Sequence, residues 1–282
     1  MKKKIRIASV INLLGISRLL ISFQHCTHFP YIRVVNYHST NERFEANLEK
    51  QLQYFSKIFI PADVDDLGQL LGGNWPHERP GLLLSFDDGL RDNFAIAVPL
   101  LEKYGFKGLF FIPPGFVDEP VQTANEFCVV NKIDGSEALT IEEVQYLARY
   151  HHIGCHTFNH TRLEDSLTSQ ELSREIVDSK KRLEEMTSKV VNNFAWVGGE
   201  ESSYGKNASK LIQKSGFKYC FMTNSLPVTK DTHPFWLQRT NIEASWPMSL
   251  VQFQISGIPD IWNWAKRRRI CKYLDSSKGP GF

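Results

Sequence analysis

The sequence predicts an α/β fold with a mainly parallel sheet, and three observations carry that prediction. Short apolar runs alternate with amphipathic helical segments, as in strands joined by crossover helices. The runs are continuous rather than alternating, which marks strands buried on both faces. Roughly six or seven such units fit along the chain, a number that favours a barrel over an open sheet.

The elements follow in order. YIRVVNY (31–37) is β-branched and aromatic and reads as the first strand. FEANLEKQLQYFSKI (44–58) places Phe44, Leu48, Leu52 and Phe55 on one helical face. GLLLSF (81–86) reads as a buried strand, NFAIAVPLLEKY (93–104) as a helix kinked at Pro99, and KGLFFIP (107–113) as the next strand. A loop rich in polar and small residues follows. Thr140 and Glu143 then form a capping box at the start of IEEVQYLARY. HHIGCHT (151–157) is a compact strand, and residues 168–187 form an amphipathic helix buried through Leu172, Ile176 and Leu183. A strand at 190–196, a helix at 207–216 and a strand at 218–223 complete the pattern. No tandem repeat or low-complexity linker interrupts it.

A chain of 282 residues with 42% hydrophobic and 23% charged residues suits one large globular domain. Its net charge of +2 calls for no nucleic-acid partner. The basic residues gather at the ends: Lys2, Lys3, Lys4 and Arg6 at one, Lys266 to Arg269 within a basic tail (261–282) at the other. They are solvated termini or attract an anionic membrane surface. Residues 1–30 start basic and turn apolar, like a signal peptide or anchor, but Asn12 and Arg18 interrupt the run and no small-x-small cleavage site closes it. Ile11, Leu14, Ile16, Leu19 and Leu20 instead predict an amphipathic helix, packed on the domain or lying on a membrane. The five scattered cysteines form no CxxC pair and read as free thiols in a reducing compartment. The chain is therefore expected in the cytoplasm or peripherally on the inner face of the membrane, with periplasmic or secreted locations kept open.

The chemistry gathers at strand ends. The run LLLSF meets Asp87 and Asp88, two like charges that need something to neutralise or use them. His156 and His160 follow the 151–157 strand in an H-x-x-x-H spacing, which on a helical turn, or a loop that mimics one, lets both face one ion. Two imidazoles and a carboxylate make a facial triad with open positions. The second carboxylate is free to act as a base. The bland alternative is a simple Asp-Asp-Gly turn.

SFDDG (85–89) and HTFNH (156–160) resemble the first two signatures of the polysaccharide deacetylases, the carbohydrate esterases that share the nodulation-factor deacetylase domain. NYHST, GLFFIPP and LTIEEVQYLARYHHIGCHT support the resemblance, which spans about residues 31–243 of a domain expected over 31–260. It implies a distorted, incomplete (β/α) barrel of about seven parallel strands and metal-dependent hydrolysis of the N-acetyl group of an N-acetylated glycan, in the context of exopolysaccharide or cell-envelope glycans. By the same resemblance Asp88, His156 and His160 would bind a divalent metal, commonly Zn2+, and Asp87 would be the general base.

The sequence departs from the family at two signatures. Ala195 stands where an arginine would orient the base, although Gly199 matches. Leu237-Gln238-Arg239 aligns with the Leu-x-His that supplies the general acid, and arginine does not readily donate a proton. His38, at the end of the first strand, is the substitute acid expected to face the barrel mouth, or else a hydrogen-bonded structural histidine. His233 is a second candidate. Tyr37 and Trp196 are candidates for lining a sugar cleft or for the core, Cys155 for a small packed hydrophobe, and Arg91 and Asp92 for an exposed helix start. Other readings are a non-catalytic carbohydrate-binding scaffold and a hydrolase of another amide, such as an N-formyl sugar, including one that is lipid-linked.

Overall fold

The computed structural model describes residues 2–26, 29–133, 135 and 137–271. The side chains of Lys2, Lys3 and Cys26, and the part of the expected basic tail beyond residue 271, lie outside what it describes. Its strands are β1 (Ile32–Tyr37), β2 (Ile60–Pro61), β3 (Gly81–Phe86), β4 (Gly108–Ile112), β5 (His152–Cys155), β6 (Asn193–Ala195), β7 (Tyr219–Met222) and β8 (Leu237–Asn241). All eight pair in parallel. Seven of them form a ring, because β1 pairs with β3 on one side and β8 on the other. The two-residue β2 adds to the start of β3 outside the ring. The barrel therefore has the expected seven strands.

Alternation along the strands separates two cores. Ile32, Val34, Leu83, Leu109, Phe111, Ala195, Phe221 and Leu237 pack inside the ring. Val35, Tyr37, Leu84, Phe86, Phe110 and Ile112 pack outward against the helices. The interior is tight enough to require a glycine: a Cβ on Gly154 would stand 2.6 Å from the Phe111 ring.

The helices are α1 (Lys2–Leu13), α2 (Ile16–Cys26), α3 (Glu45–Ile58), α4 (Val64–Leu71), α5 (Val98–Lys103), α6 (Val121–Asn131), α7 (Ile141–Tyr150), α8 (Ser169–Ser173), α9 (Ser179–Thr187), α10 (Lys206–Lys214), α11 (Met248–Ile255), α12 (Ile258–Trp262) and α13 (Trp264–Ile270). The capping box of Thr140 and Glu143 starts α7 as expected. The helix expected over 168–187 widens into a π turn at Arg174–Asp178 between α8 and α9. A second π turn, Asn93–Ala97, precedes Pro99, so the missing proline amide is absorbed without a break. Two expectations need correction. The loop after β4 contains α6, whose low amphipathicity hid it. The N-terminal segment is two helices bent by 74° rather than one.

The C-terminal helices close the outer layer. Arg33 on β1 makes two hydrogen bonds to Asp260 of α12, at 3.1 and 2.8 Å. Arg267, from the basic stretch, turns inward and donates to the carbonyls of Asn224, Ser225 and Asp260. Buried guanidinium groups paired in this way fix α12 and α13 against the strands.

Candidate active site

At the C-terminal mouth of the barrel the inward side chains change character. Asn36 follows Val34 on β1, Ser85 and Asp87 follow Leu83 on β3, and Arg239 follows Leu237 on β8. All of these polar groups are buried. Arg239 Nη1 donates to Asp87 Oδ1 at 2.6 Å and Nη2 donates to Oδ2 at 2.8 Å. Its guanidinium lies 4.9 Å from the centre of the Phe111 ring. Such a two-point pair holds a carboxylate in one orientation. Burial pushes the Asp87 pKa up, but the charges of Arg239 and His156 and the Arg239 hydrogen bonds outweigh it, leaving Asp87 below the ordinary carboxylate value.

After Asp87 the chain turns through two left-handed residues, Asp88 (φ 76°) and Gly89 (φ 68°). Such a conformation is costly for a non-glycine residue and collects at functional sites. Here it brings Asp88 Oδ1 to 3.0 Å from His160 Nε2 and 3.5 Å from His156 Nε2. Burial raises the Asp88 pKa, yet hydrogen bonds from His156 and His160 in the form protonated at Nε2, with the charge of His160, overcome it and hold the carboxyl well below its usual value.

The histidines come from a loop, not a helical turn. Thr157 (φ 59°) and His160 (φ 58°) are both left-handed. Buried Glu175 braces this loop by accepting from the amides of Phe158 and Asn159, each at 2.9 Å. His156 Nδ1 lies 3.0 Å from the Ala195 carbonyl, and His160 Nδ1 lies 3.2 Å from Asn131 Oδ1. With Nδ1–H donating to those oxygens, each Nε2 presents its lone pair toward Asp88. The three ligand atoms lie within 4.8 Å of one another, and Asp88 Oδ1 is buried without a hydrogen bond. Three lone-pair donors converging on one point fit a divalent cation.

His38 lines the same cleft as Asp87, Asp88, His156 and His160. Its Nδ1 lies 2.9 Å from Glu243 Oε1. Burial lowers the His38 pKa, but the hydrogen bond and charge of Glu243, with the charges of Asp88 and Asp87, raise it to about 10. The cleft has a volume of about 1290 Å³ and is also bordered by Lys4, Trp246, Trp262 and Lys266.

Of the other candidates, Trp196 borders this cleft although it is only 1% exposed, whereas Tyr37 is a core residue, 0% exposed, away from it. Cys155 packs as a buried thiol whose pKa burial pushes up to about 12. His233 Nδ1 accepts from the Phe235 amide and does not border the cleft. Arg91 pairs with Glu137 and Glu143, and Asp92 accepts from Ser39. Sequence reasoning missed four contributors: Arg239 as the partner of Asp87, Glu243, Asn131 and Glu175. Only Arg239 left a signal, as the residue that aligns with the histidine of the Leu-x-His signature. Ala195 stands on β6, while the arginine that pairs with Asp87 comes from β8.

Comparison with known proteins agrees with this geometry. Residues 76–220 match the family model for polysaccharide deacetylase. YxkH of Bacillus subtilis (strain 168), a protein named for polysaccharide deacetylase activity, is 26% identical over 162 residues. That alignment covers 57% of this chain and 51% of YxkH, so the chain spans about half the length of this relative. The Streptococcus pyogenes deacetylase PplD in complex with acetate superposes with a TM-score of 0.63 at 18% identity, over 79% of this chain and 98% of that one. IcaB from Ammonifex degensii gives 0.61 at 18% identity, over 80% and 97%. With this fold, these signatures and this match, the chain belongs to the polysaccharide deacetylase family.

Proposed function

We propose that this protein is a divalent-metal-dependent deacetylase that hydrolyses the N-acetyl group of an N-acetylated glycan. The observation that carries the reading is the Asp87–Arg239 pair standing next to three converging lone-pair donors at the floor of one open cleft. Asp88, His156 and His160 would hold the ion, and their oxygen and nitrogen donors suit Zn2+. When bound, the ion supplies Lewis-acid polarisation of the acetyl carbonyl and makes water more acidic.

The chain's own groups supply the proton transfers. Asp87, held ionised and oriented by Arg239, takes a proton from the attacking water. His38, kept protonated by Glu243, gives its proton to the sugar nitrogen as the carbon–nitrogen bond breaks. One carbon–oxygen bond forms, one carbon–nitrogen bond is lost, and acetate and a free amine leave. The His38–Glu243 pair supports catalysis over the binding-scaffold reading, because it offers an acid where the Leu-x-His histidine is missing.

The test is acetate release from N-acetylglucosamine oligomers, measured with and without chelator beside the metal content of the purified protein. Near-stoichiometric zinc and chelator-sensitive acetate are expected. Bound metal with no acetate from any N-acetylated glycan would reject the activity.

A further inference from the structure

The N-terminal helices present the wrong face to water. On α2, Ile16, Leu19 and Phe23 project outward at helical spacing, while Ser17 and Ile21 are buried. On α1, Val10 and Leu13 are exposed and Ala8 is buried, and Leu14 in the turn that follows is exposed too. Leu13, Leu14, Leu19 and Phe23 are each 66–88% exposed. A run of apolar side chains of this kind is unusual on a monomer surface and marks an interaction site.

The buried faces are anchored to the domain. α1 and α2 both pack on α11. Asn12 Nδ2 donates to the Ser249 carbonyl and Gln24 Nε2 to that of Ser256. α12 also packs on α11, next to the end of α2 at Gln24, and α12 and α13 expose Ile261, Trp262 and Trp264. Arg268 covers the Trp264 ring at 5.3 Å.

Charge chooses the partner. The sequence has no acidic residue before Glu42, whereas Lys4, Arg6 and Arg18 are exposed on these helices. A protein partner could match the apolar stripe alone. An apolar stripe whose own helices carry cations and no acid, with exposed tryptophans on α12 and α13, matches the headgroup boundary of an anionic bilayer. No described helix is long and apolar enough to cross a membrane by itself. Each N-terminal helix is about 17 Å long, against a hydrocarbon core of about 30 Å. The 74° bend between them lets both lie along a surface.

We propose that α1 and α2, with the tryptophans of α12 and α13, dock this protein on the surface of an anionic lipid bilayer. Lys4 lies 5.6 Å from the Trp246 ring and borders the cleft, as do Trp262 and Lys266. Docking therefore brings the cleft mouth beside the headgroups. The docking does not depend on the deacetylase reading, so the two can fail separately.

Co-sedimentation of the full chain with vesicles of phosphatidylcholine alone, or of phosphatidylcholine with 30% phosphatidylglycerol, tests the proposal. The anionic vesicles should bind at least tenfold better, with binding weakened in 0.5 M salt. The L13S/L14S/L19S/F23S variant should lose more than tenfold of that binding, and R6E/R18E should lose the preference for phosphatidylglycerol. Both variants should release acetate from soluble oligomers at the parental rate. The proposal is overturned if the parental chain ignores both vesicles, or if the quadruple variant binds as before. It is equally overturned if the parental chain is a dimer by light scattering that the quadruple variant converts to monomer without any vesicle binding.

Discussion

Both ends of the barrel gather aspartates and histidine within ligand distance, and the surroundings of each carboxylate set them apart. At the N-terminal end, Asp63, Asp65 and His152 meet the same 4.8 Å criterion as Asp88, His156 and His160 at the mouth. Asp63 is already satisfied, however. Its Oδ1 caps α4 by accepting from the amides of Asp65 and Asp66, at 2.8 and 3.2 Å. Its Oδ2 lies 3.1 Å from Lys107 Nζ and 3.5 Å from His152 Nε2. Asp88 pairs with no lysine or arginine among the described residues, and its Oδ1 faces the two imidazoles instead. The same residue types thus make a helix cap at one end and, at the other, a set of donors that could hold a cation, because only Asp63 is tied up by amides and a lysine.

The contrast can be broken most sharply at the mouth. Asp87→Asn should lower the acetate-release rate by about 10²–10⁴-fold, with metal content and the circular dichroism spectrum unchanged. Loss of metal in that variant would mean Asp87 is itself a ligand. Next in size, His156→Ala should lose bound metal on elemental analysis, whereas His152→Ala should keep the parental stoichiometry. Equal loss in both would erase the distinction between the two ends.

Arg239→Gln leaves a buried aspartate without its cation, at a cost of about 3–5 kcal/mol. Urea titration should show it, and an unchanged midpoint would contradict the pairing. Glu243→Gln tests the acid. Glu243, with smaller contributions from Asp88 and Asp87, raises the His38 pKa to about 10, so the protonated form is lost only as pH rises through that value. Removing the carboxylate should bring the alkaline limb of the rate profile down toward about 6.5. A limb that stays in place would remove His38 from the proton transfer.

The smallest effect belongs to the helix cap. Asp63→Ala should cost about 1 kcal/mol of stability with activity retained. The His152 hydrogen bond, the α4 amides and Lys107 depress the Asp63 pKa against the opposing effect of burial. Its contribution is therefore present above the unfolded aspartate pKa of about 3.9 and fades as pH falls through the lower folded value. A parental–variant difference in melting temperature that shrinks on acidification would confirm the sign.

The main plan was readable because burial on both faces leaves continuous apolar runs such as GLLLSF and GLFFI, and because capping chemistry is local: Thr140 and Glu143 are three residues apart. α6 was not readable, since only Ala124 and Cys128 of that helix are buried. Asp87, Asp88, His156 and His160 stand out in the chain because adjacent carboxylates at a strand end and closely spaced histidines are chemically distinctive. The partners that tune them do not. Asp87 and Arg239 are 152 positions apart, and His38 and Glu243 are 205 apart. Sequence by itself determined the strand–helix alternation and the reactive groups, since both depend on neighbours along the chain. Closure of the ring decided the rest: it laid β8 beside β1, and so put Arg239 against Asp87 and Glu243 against His38. Those pairings depend on distances in space, which one-dimensional spacing does not encode.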